Sequence, residues 1–246
     1  MGRTVAIVQA RMGSTRLPGK CLADIAGKPM LQHVLERLGL SKRIDDVVVA
    51  TTRNSADTPI LDLVRQVGLR ACAGSENDVL ARYLEAARFA KAEIIVRVTA
   101  DCPLIDPALA DDVIDAYSRE HGDYASNVIE RTFPRGVETE VFSLETLRRI
   151  NALSNQPFER EHVTPYFYLH PEDFKLVSIT AAGALRRPDL RLCVDTEDDL
   201  RLVRQIYTRL SGQGNTFSML DTIHAIEREP WLAEINAHIE QKKLGE

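Results

Sequence analysis

Short apolar runs rich in β-branched residues recur through the first half of the chain. Each run is bounded by polar positions, which is typical of strands buried within a parallel sheet. The runs are Thr4-Val-Ala-Ile-Val8, Asp46-Val-Val-Val-Ala50 and Glu93-Ile-Ile-Val-Arg-Val98. They predict three strands that form the centre of a sheet.

Stretches with helical periodicity lie between these runs. Leu31, Val34, Leu35 and Leu38 follow the i, i+3, i+4, i+7 spacing of an amphipathic helix. Residues 57–67 and 78–90 also have helical patterns, and a short strand, Leu69-Arg-Ala-Cys72, separates them. Strands that alternate with helices favour βαβ units, so the pattern predicts an α/β fold with helices on both faces of a mostly parallel sheet.

The regularity weakens after about residue 120. Gly136-Val-Glu-Thr-Glu-Val-Phe142 alternates apolar and acidic residues, as a half-solvated strand would, so we expect the sheet to become mixed here. A further strand is predicted over Leu190-Arg-Leu-Cys-Val-Asp195, running into a helix that starts near Thr196. Two C-terminal helices are predicted near 218–229 and 231–242.

Composition narrows the class of protein. The 246 residues are 44% hydrophobic and 27% charged with a net charge of -5, which predicts a soluble protein with one main domain rather than a general nucleic-acid binder. The four cysteines have neither zinc-site nor disulfide-framework spacing, so we expect reduced thiols. No leader pattern or membrane-span pattern is evident, and we expect a cytoplasmic protein without a membrane partner.

The loop after the first run concentrates positive charge. Gln9-Ala-Arg-Met-Gly-Ser-Thr-Arg-Leu-Pro-Gly-Lys20 contains three cations, two glycines and two hydroxyl residues. Ligands of open α/β sheets bind at the carboxyl ends of the strands, where this loop begins. Glycines allow close backbone approach, and Arg11, Arg16 and Lys20 add fixed charge, so the loop is interpreted as a cradle for a polyphosphate.

Other interpretations of this loop are weaker. Neither the P-loop spacing nor the Gly-x-Gly-x-x-Gly spacing of dinucleotide folds is present, since Gly19-Lys20 comes one residue too late and Cys21 replaces the hydroxyl residue. A plain surface turn whose cations pair with nearby acids would show the same residues. The position directly after the first strand favours the anion site.

The motifs resemble a known family. The opening loop, with Leu22-Ala-Asp-Ile-Ala-Gly-Lys-Pro-Met30 after it, is similar to the cytidylyltransferases that activate acidic sugars, such as CMP-Kdo and CMP-acylneuraminate synthetases. The overall layout is closest to the SpsF-like branch of spore-coat polysaccharide biosynthesis. That branch is suggested by Gly74-Ser-Glu-Asn-Asp-Val-Leu-Ala-Arg82, Thr99-Ala-Asp-Cys-Pro-Leu104 and Glu161-His-Val-Thr-Pro165. The resemblance implies a GT-A-like, three-layer α/β/α domain with a mixed, mostly parallel central sheet.

Two aspartates are candidate metal ligands. Asp101 and Asp195 each follow an apolar run, so parallel neighbouring strands would bring both to the edge where the opening loop lies. Mg2+ is usually held by one or two carboxylates together with phosphate oxygens. The resemblance points to the same positions, although each aspartate alone would suit a helix cap equally well. Cys102 stands where CMP-Kdo synthetases usually carry an acidic residue, which weakens the case for that particular sugar acid.

Further binding residues follow from the resemblance. It implies that Ala10, Arg11, Gly13, Ser14, Arg16 and Lys20 bind the nucleotide and that the segment around Gly74 and Ser75 passes under the base. Thr52 ends the second strand at the same sheet edge and is a further candidate for the nucleotide site. Ser75 would serve equally as a helix cap, and Thr52 as part of a simple chain turn. For the acceptor, candidates in the irregular half are Arg135, Glu138, Glu140, Arg160 and His162. Solvent-facing acids and a surface histidine would look alike in sequence.

Together these features predict an Mg2+-dependent transfer of CMP from CTP to a carbohydrate-type acceptor in glycan biosynthesis. The predicted catalytic residues are Lys20, Arg11, Arg16 and Asp101, and the predicted metal ligands are Asp101 and Asp195. Within one domain, 1–120 would bind nucleotide, 121–190 would bind acceptor and contribute to a homodimer, and 191–246 would carry the second aspartate and the last helices. One alternative is a glycosyltransferase that uses a nucleotide sugar, but the Asp-x-Asp metal motif usual in such enzymes is absent from this sequence. The other alternative is a non-catalytic nucleotide-binding partner.

Overall fold

The computed structural model describes residues 2–210, 212 and 216–241. Its centre is a seven-stranded sheet of order β5-β4-β1-β6-β8-β7-β9. The strands of this sheet are β1 Thr4–Gln9, β4 Asp46–Thr52, β5 Arg70–Gly74, β6 Ile94–Thr99, β7 Tyr124–Ser126, β8 Glu140–Ser143 and β9 Leu176–Ser178. A separate short hairpin pairs β2 Asp24–Ile25 with β3 Lys28–Pro29.

The four strands from β5 to β6 are parallel, and β8 pairs antiparallel with both β6 and β7. This confirms the predicted α/β class with a mixed, mostly parallel sheet. In β1, Ala6 and Val8 face one apolar cluster while Val5 and Ile7 face another. Both faces of the strand are therefore buried, which explains why its sequence is continuously apolar.

Helices cover both faces of the sheet. They are α1 Met30–Leu38, α2 Thr58–Gln66, α3 Val79–Ala90, α4 Pro107–Glu120, α5 Leu144–Leu153, α6 Pro157–His162, α7 Pro165–Leu169, α8 Glu197–Leu210, α9 Met219–Arg228 and α10 Trp231–Glu234. The predicted stripe of Leu31, Val34, Leu35 and Leu38 is buried on one face of the sheet. The helix predicted near 231–242 begins at Trp231 as expected but ends at Glu234, so the prediction was too long over the described residues; residue 242 lies outside them.

The predicted strand over 190–195 does not form. Only Arg191 makes a bridge, pairing with Arg135, and the amide of Val194 donates to the carbonyl of Asp101 at 2.8 Å. The chain crosses close to Gly136, where a Cβ atom would lie 2.6 Å from the backbone nitrogen of Cys193, so a side chain at this position would clash. This one bridge and the hydrogen bond of Val194 therefore replace a regular strand, and they bring Asp195 to the end of β6.

The predicted strand over 136–142 is shorter than its alternation suggests, because β8 begins only at Glu140. The side chain of Asn127 donates to the carbonyl of Val137 and accepts from the amide of Thr139. These side-chain bonds take the place of strand pairing there.

All four cysteines are free thiols. Among the described residues, no helix combines the length and the apolar character needed to cross a bilayer.

Candidate active site

The opening loop leaves β1 at the carboxyl edge of the parallel strands and folds back on itself. The carbonyl of Met12 accepts from the amides of Ser14 at 2.9 Å and Gly19 at 3.2 Å, and the Ser14 hydroxyl accepts from the amide of Leu17. Gly19 has φ +72°, a left-handed conformation in which glycine is unstrained. Nothing lies within 4 Å of where a Cβ atom of Gly13 would stand, so the backbone is open to a ligand there.

Lys20 joins the two predicted metal ligands. Its ammonium donates to Asp101 Oδ2 at 2.9 Å, to Asp195 Oδ1 at 2.8 Å and to the carbonyl of Val194 at 2.8 Å. Burial opposes the charge on Lys20, but the two carboxylates outweigh that effect and raise its pKa. Three residues predicted from separate parts of the sequence therefore meet at one point.

Asp195 is surrounded by cations. Its second carboxylate oxygen lies 3.0 Å from Arg16 and 2.7 Å from Arg191. Burial alone would raise the pKa of Asp195, but Lys20, Arg16 and Arg191 together lower it. The carboxylate therefore remains ionised at neutral pH and is available as a hard oxygen ligand.

Helix capping falls to other residues. Asp106 accepts from the amides at the start of α4. At the start of α8, Thr196 Oγ1 accepts from the amide of Asp199, and Asp199 accepts in turn from the amides of Asp195 and Thr196. The side chains of Asp101 and Asp195 instead converge on Lys20, and Asp101 Oδ1 also accepts from the Thr99 hydroxyl at 2.5 Å.

These carboxylates suit a hard divalent cation. Their oxygens already converge on one positively charged nitrogen, and two carboxylates with open space beside them form the donor set that Mg2+ uses together with phosphate and water. Side-chain exposures of 26% for Asp101 and 14% for Asp195 leave a route from solvent. Asp101 and Asp195 would hold the ion.

The remaining opening-loop residues differ in how freely they can bind. Arg11 is 44% exposed and lies 3.9 Å from Glu161, so only a loose ion pair holds it. Ala10 is buried in the core, and its amide donates to the carbonyl of Ala50 at 3.1 Å. The side chain of Arg16 is 31% exposed and that of Lys20 only 12%, so Arg11 and Arg16 are the more accessible cations of the loop.

Asp57 anchors the opening loop and was missed by sequence analysis. This aspartate is 3% exposed and directly precedes α2, yet its side chain does not cap that helix. It accepts instead from the amide of Met12 at 2.7 Å and from the hydroxyl of Thr52. The Thr52 hydroxyl, predicted to line the nucleotide, is thus engaged in positioning the loop.

Asp57→Ala is expected to lower the free energy of unfolding by about 1–3 kcal/mol, because it leaves the amide of Met12 and the hydroxyl of Thr52 without their buried acceptor. Urea denaturation would measure the loss. Asp62→Ala, in the exposed pair of Asp62 with Arg65 on α2, is the matched control and should change stability little. Equal stability of the two variants would show that Asp57 does not anchor the loop.

Arg82 supports the segment predicted to lie under the base. Its guanidinium donates to the carbonyl of Ser75 and its side chain is buried. A Cβ atom at position 74 would come within 2.8 Å of Arg82 Cγ, which explains the glycine. Asp78 caps α3, and the Ser75 hydroxyl accepts from the amide of Asp78 at 3.1 Å. Sequence analysis did not select Arg82, because no short-range pattern distinguishes an arginine that supports a neighbouring loop from any other arginine within a helix.

A cavity of about 500 Å³ adjoins the two aspartates on the side of β8. Four of the five predicted acceptor residues line it, together with several residues that sequence analysis did not select. The predicted ones are Arg135, Glu138, Glu140 and His162; the others include Arg97, Thr99, Cys102, Arg131, Thr164 and Tyr168. The irregular half of the chain therefore supplies a pocket beside the candidate metal position.

Arg160 lies elsewhere. Its guanidinium donates to Asp78 at 2.7 and 2.8 Å and to the carbonyl of Ser154 at 3.0 Å. These bonds tie α6 to the N-terminus of α3. The structure thus separates Arg160 from the other predicted acceptor residues, since it does not line the cavity.

The two glutamates of the cavity have different partners. Glu140 is 4% exposed, forms an ion pair with Arg97 and accepts from the Tyr124 hydroxyl at 2.6 Å. Glu138 is more open and accepts from Arg131 at 2.9 Å and from the amide of Gly136 at 2.6 Å. Glu140 is therefore a structural link across the antiparallel part of the sheet as well as a cavity wall.

Glu140→Ala is expected to lower the free energy of unfolding by about 3–5 kcal/mol, since it strands the Arg97 charge and removes the acceptor of Tyr124. Urea denaturation would measure this change. Glu145→Ala, at an exposed position near the start of α5, is the control and should change stability little. A loss below about 1 kcal/mol would contradict a structural role of the Glu140 pair.

His162 and Arg135 complete the cavity. Burial lowers the pKa of His162; the Glu161 charge opposes this effect and the Arg97 charge adds to it, and the net lowering keeps the imidazole neutral at neutral pH. Burial and the neighbouring Arg131 charge also lower the pKa of Arg135. Within the part of the chain that the structure describes, Arg135 forms no ion pair of its own.

The fold and this site define a class. A parallel sheet whose carboxyl edge carries a basic loop, two converging carboxylates and an adjoining pocket is the arrangement of a nucleotidyltransferase. A sequence model of the family described as cytidylyltransferase matches residues 5–228. The chain belongs to this cytidylyltransferase family, and the resemblance found from its motifs is confirmed.

Similar proteins agree with this assignment. The chain is 32% identical over 237 residues to the spore coat polysaccharide biosynthesis protein SpsF of Bacillus subtilis, covering 94% of this chain and 96% of that protein. It is 33% identical over 251 aligned positions to the 3-deoxy-manno-octulosonate cytidylyltransferase of Solibacter usitatus, covering 87% and 98%. The solved structure of a cytidylyltransferase from Leptospira borgpetersenii superposes with a TM-score of 0.90 at 33% identity, covering 99% and 100%.

Proposed function

We propose that this cytidylyltransferase uses CTP and Mg2+ to transfer CMP to an anionic carbohydrate acceptor, releasing pyrophosphate, in the biosynthesis of a surface glycan. The observation that carries the proposal is the meeting of Lys20 with Asp101 and Asp195, two aspartates that also line the cavity predicted to bind the acceptor. Relatives that are named for CMP transfer to a sugar acid and for polysaccharide biosynthesis support the substrate class.

Positioning and charge neutralisation account for the chemistry. The acceptor oxygen attacks the α-phosphorus in line while pyrophosphate leaves, so negative charge shifts onto the leaving phosphates. Arg11, Arg16 and Lys20 would bind the triphosphate and stabilise that charge. Asp101 and Asp195 would hold Mg2+, which when bound would supply Lewis-acid neutralisation of the phosphate oxygens.

The two substrates, nucleotide and acceptor, would bind to different parts of the chain. The open backbone at Gly13, with Gly74 and Ser75, would hold the nucleotide in residues 1–120. Residues 121–190 would contribute most of the acceptor pocket. Residues 191–246 supply Asp195. A homodimer remains a prediction that the mass in solution would test.

The cavity favours an anionic acceptor. Arg135 carries a partly buried charge that no described carboxylate pairs with directly; burial and the Arg131 charge lower its pKa, and the Glu138 charge opposes that effect. An acceptor carboxylate or phosphate would pair with the guanidinium fork and offset the Arg131 charge. Neutral His162 would be able to accept the proton of the attacking hydroxyl.

Thermal unfolding tests the nucleotide. A ligand that binds only the native protein raises the midpoint of unfolding. We expect CTP with Mg2+ to raise it more than UTP, ATP or GTP does, and pyrophosphate release would then identify acceptors among sugar acids and sugar phosphates. A shift with a nucleotide sugar and none with any triphosphate would instead support a glycosyltransferase.

A further inference from the structure

The Lys20 ammonium lies where a bound metal ion would be expected. It contacts one oxygen of Asp101 at 2.9 Å and one oxygen of Asp195 at 2.8 Å, and only 12% of the Lys20 side chain is exposed. A divalent ion shared by the two carboxylates would have to lie between the same oxygens. Lysine and metal therefore compete for one position.

The other carboxylate oxygens are also occupied. Asp195 Oδ2 is bound by Arg16 and Arg191, and Asp101 Oδ1 accepts from the Thr99 hydroxyl. A metal ion on the far side of either carboxylate would have to share an oxygen that already accepts at least one hydrogen bond, whereas the position of the ammonium offers one oxygen from each aspartate at once. With Lys20 in place, a second cation would also meet strong repulsion in this partly buried site.

A bound triphosphate would attract the Lys20 ammonium, and the flexible side chain allows the ammonium to move. It lies on the opening loop beside Arg16, where a triphosphate would provide several negative charges. Its ammonium is held by two carboxylates and one carbonyl oxygen. A metal ion bound to the two carboxylates would replace the positive charge that they lose when the ammonium moves. A flexible four-carbon stem lets a lysine charge move while its backbone stays fixed.

We propose that Lys20 fills the metal position in the nucleotide-free protein, so that a divalent ion binds Asp101 and Asp195 only once a triphosphate has drawn the ammonium away. This inference rests on the proposed function for the identity of the triphosphate. It makes metal binding conditional on nucleotide binding. It also keeps the two carboxylates neutralised while the site is empty of nucleotide.

Metal binding to the nucleotide-free protein tests this idea. Mn2+ would be titrated by electron paramagnetic resonance into wild type, Lys20→Met and Lys20→Gln, with Lys28→Met as a charge-matched control. Lys28 pairs with Glu36 on the surface, away from the two aspartates. We expect both Lys20 variants to bind one Mn2+ at least tenfold more tightly than wild type and the Lys28 variant do.

A second variant locates the ion. Adding Asp101→Asn to Lys20→Met should abolish the gain, because the metal then loses one of its two carboxylates. Thermal unfolding gives an independent measure: Mn2+ should raise the midpoint of Lys20→Met and Lys20→Gln, whose carboxylates lack their cation, and leave the nucleotide-free wild type unchanged. This readout also shows whether the variants are folded.

The outcomes separate the two proposals. If neither Lys20 variant binds Mn2+ more tightly than the nucleotide-free wild type does, Lys20 and the metal do not share one position, and this result holds whichever nucleotide the enzyme uses. If the Lys20 variants gain Mn2+ binding but CTP fails to stabilise wild type in the presence of Mg2+, the shared position is supported and CTP as the nucleotide is refuted.

Discussion

Lys20→Ala is expected to lower turnover with CTP by at least tenfold. The ammonium would stabilise negative charge on the bound triphosphate, and removal of one such group typically costs about 3–4 kcal/mol, or about 100- to 1,000-fold in rate; tenfold is therefore the smallest loss expected. Pyrophosphate release under saturating CTP and acceptor would measure the loss. The effect should appear in kcat, because the negative charge on the leaving phosphates grows in the transition state.

The matched control is Lys28→Ala, which removes an exposed lysine from a surface pair with Glu36. Its turnover should stay within about twofold of wild type, since a surface pair contributes little. Comparing thermal midpoints is essential, because loss of Lys20 also leaves Asp101 and Asp195 facing each other without their shared cation. Full activity in a folded Lys20→Ala protein would remove the opening loop from the mechanism.

Asp101→Asn should reduce activity by about 100-fold or more, a loss typical of removing a group that holds the charge-stabilising machinery. The amide preserves shape and can still accept from Thr99, but it weakens the hold on a divalent ion. Raising Mg2+ should recover part of the lost activity. Pyrophosphate release as a function of Mg2+ concentration would measure both effects.

Asp62→Asn is the control for this substitution, because Asp62 lies on the surface of α2 in a pair with Arg65. It should retain wild-type turnover and wild-type Mg2+ dependence. If Asp101→Asn retained both as well, Asp101 would have no part in metal binding, and the candidate site would need a different ligand set.

The strands and the opening loop were predictable because their signals are local. Both faces of β1, β4 and β6 are covered by helices, so burial forces continuous apolar runs that are visible in sequence. The loop of residues 9–20 shows its chemistry in one short segment. The carboxyl edge of a parallel sheet is also a general location for ligands, so its position followed from the strand pattern.

Short-range patterns failed where long-range contacts decide. Residues 190–195 are apolar at alternate positions, as a strand would be, yet among the described residues they make only one isolated bridge, from Arg191 to Arg135 beside Gly136. Burial alone explains that apolar character, because Leu190, Leu192 and Val194 pack in the same cluster. Sequence thus predicted the meeting of Asp195 with Asp101 through a strand that does not exist.

The supporting residues could be found only in three dimensions. Asp57 and Arg82 are ordinary residues of helix starts and helix interiors, and nothing in their neighbours shows that they hold the opening loop and the segment around Gly74. Arg160 looked like an acceptor residue by its position along the chain, but it pairs with Asp78. The contacts of Asp57 with Met12 and of Arg160 with Asp78 join positions 45 and 82 residues apart, which no periodicity or spacing can encode. The contact of Arg82 with Ser75 spans only seven residues, but it depends on how the loop before α3 folds back on that helix.

By itself, the sequence determined the α/β class, the basic loop at the sheet edge, the pair of aspartates and the cytidylyltransferase family. These depend on burial periodicity and on motifs confined to short segments. The tertiary structure decided which charges neutralise one another: Lys20 lies between Asp101 and Asp195, Glu140 pairs with Arg97, and Arg135 lacks an ion-pair partner among the described residues. Electrostatic pairing depends on distances between remote segments, and only the folded chain sets those distances.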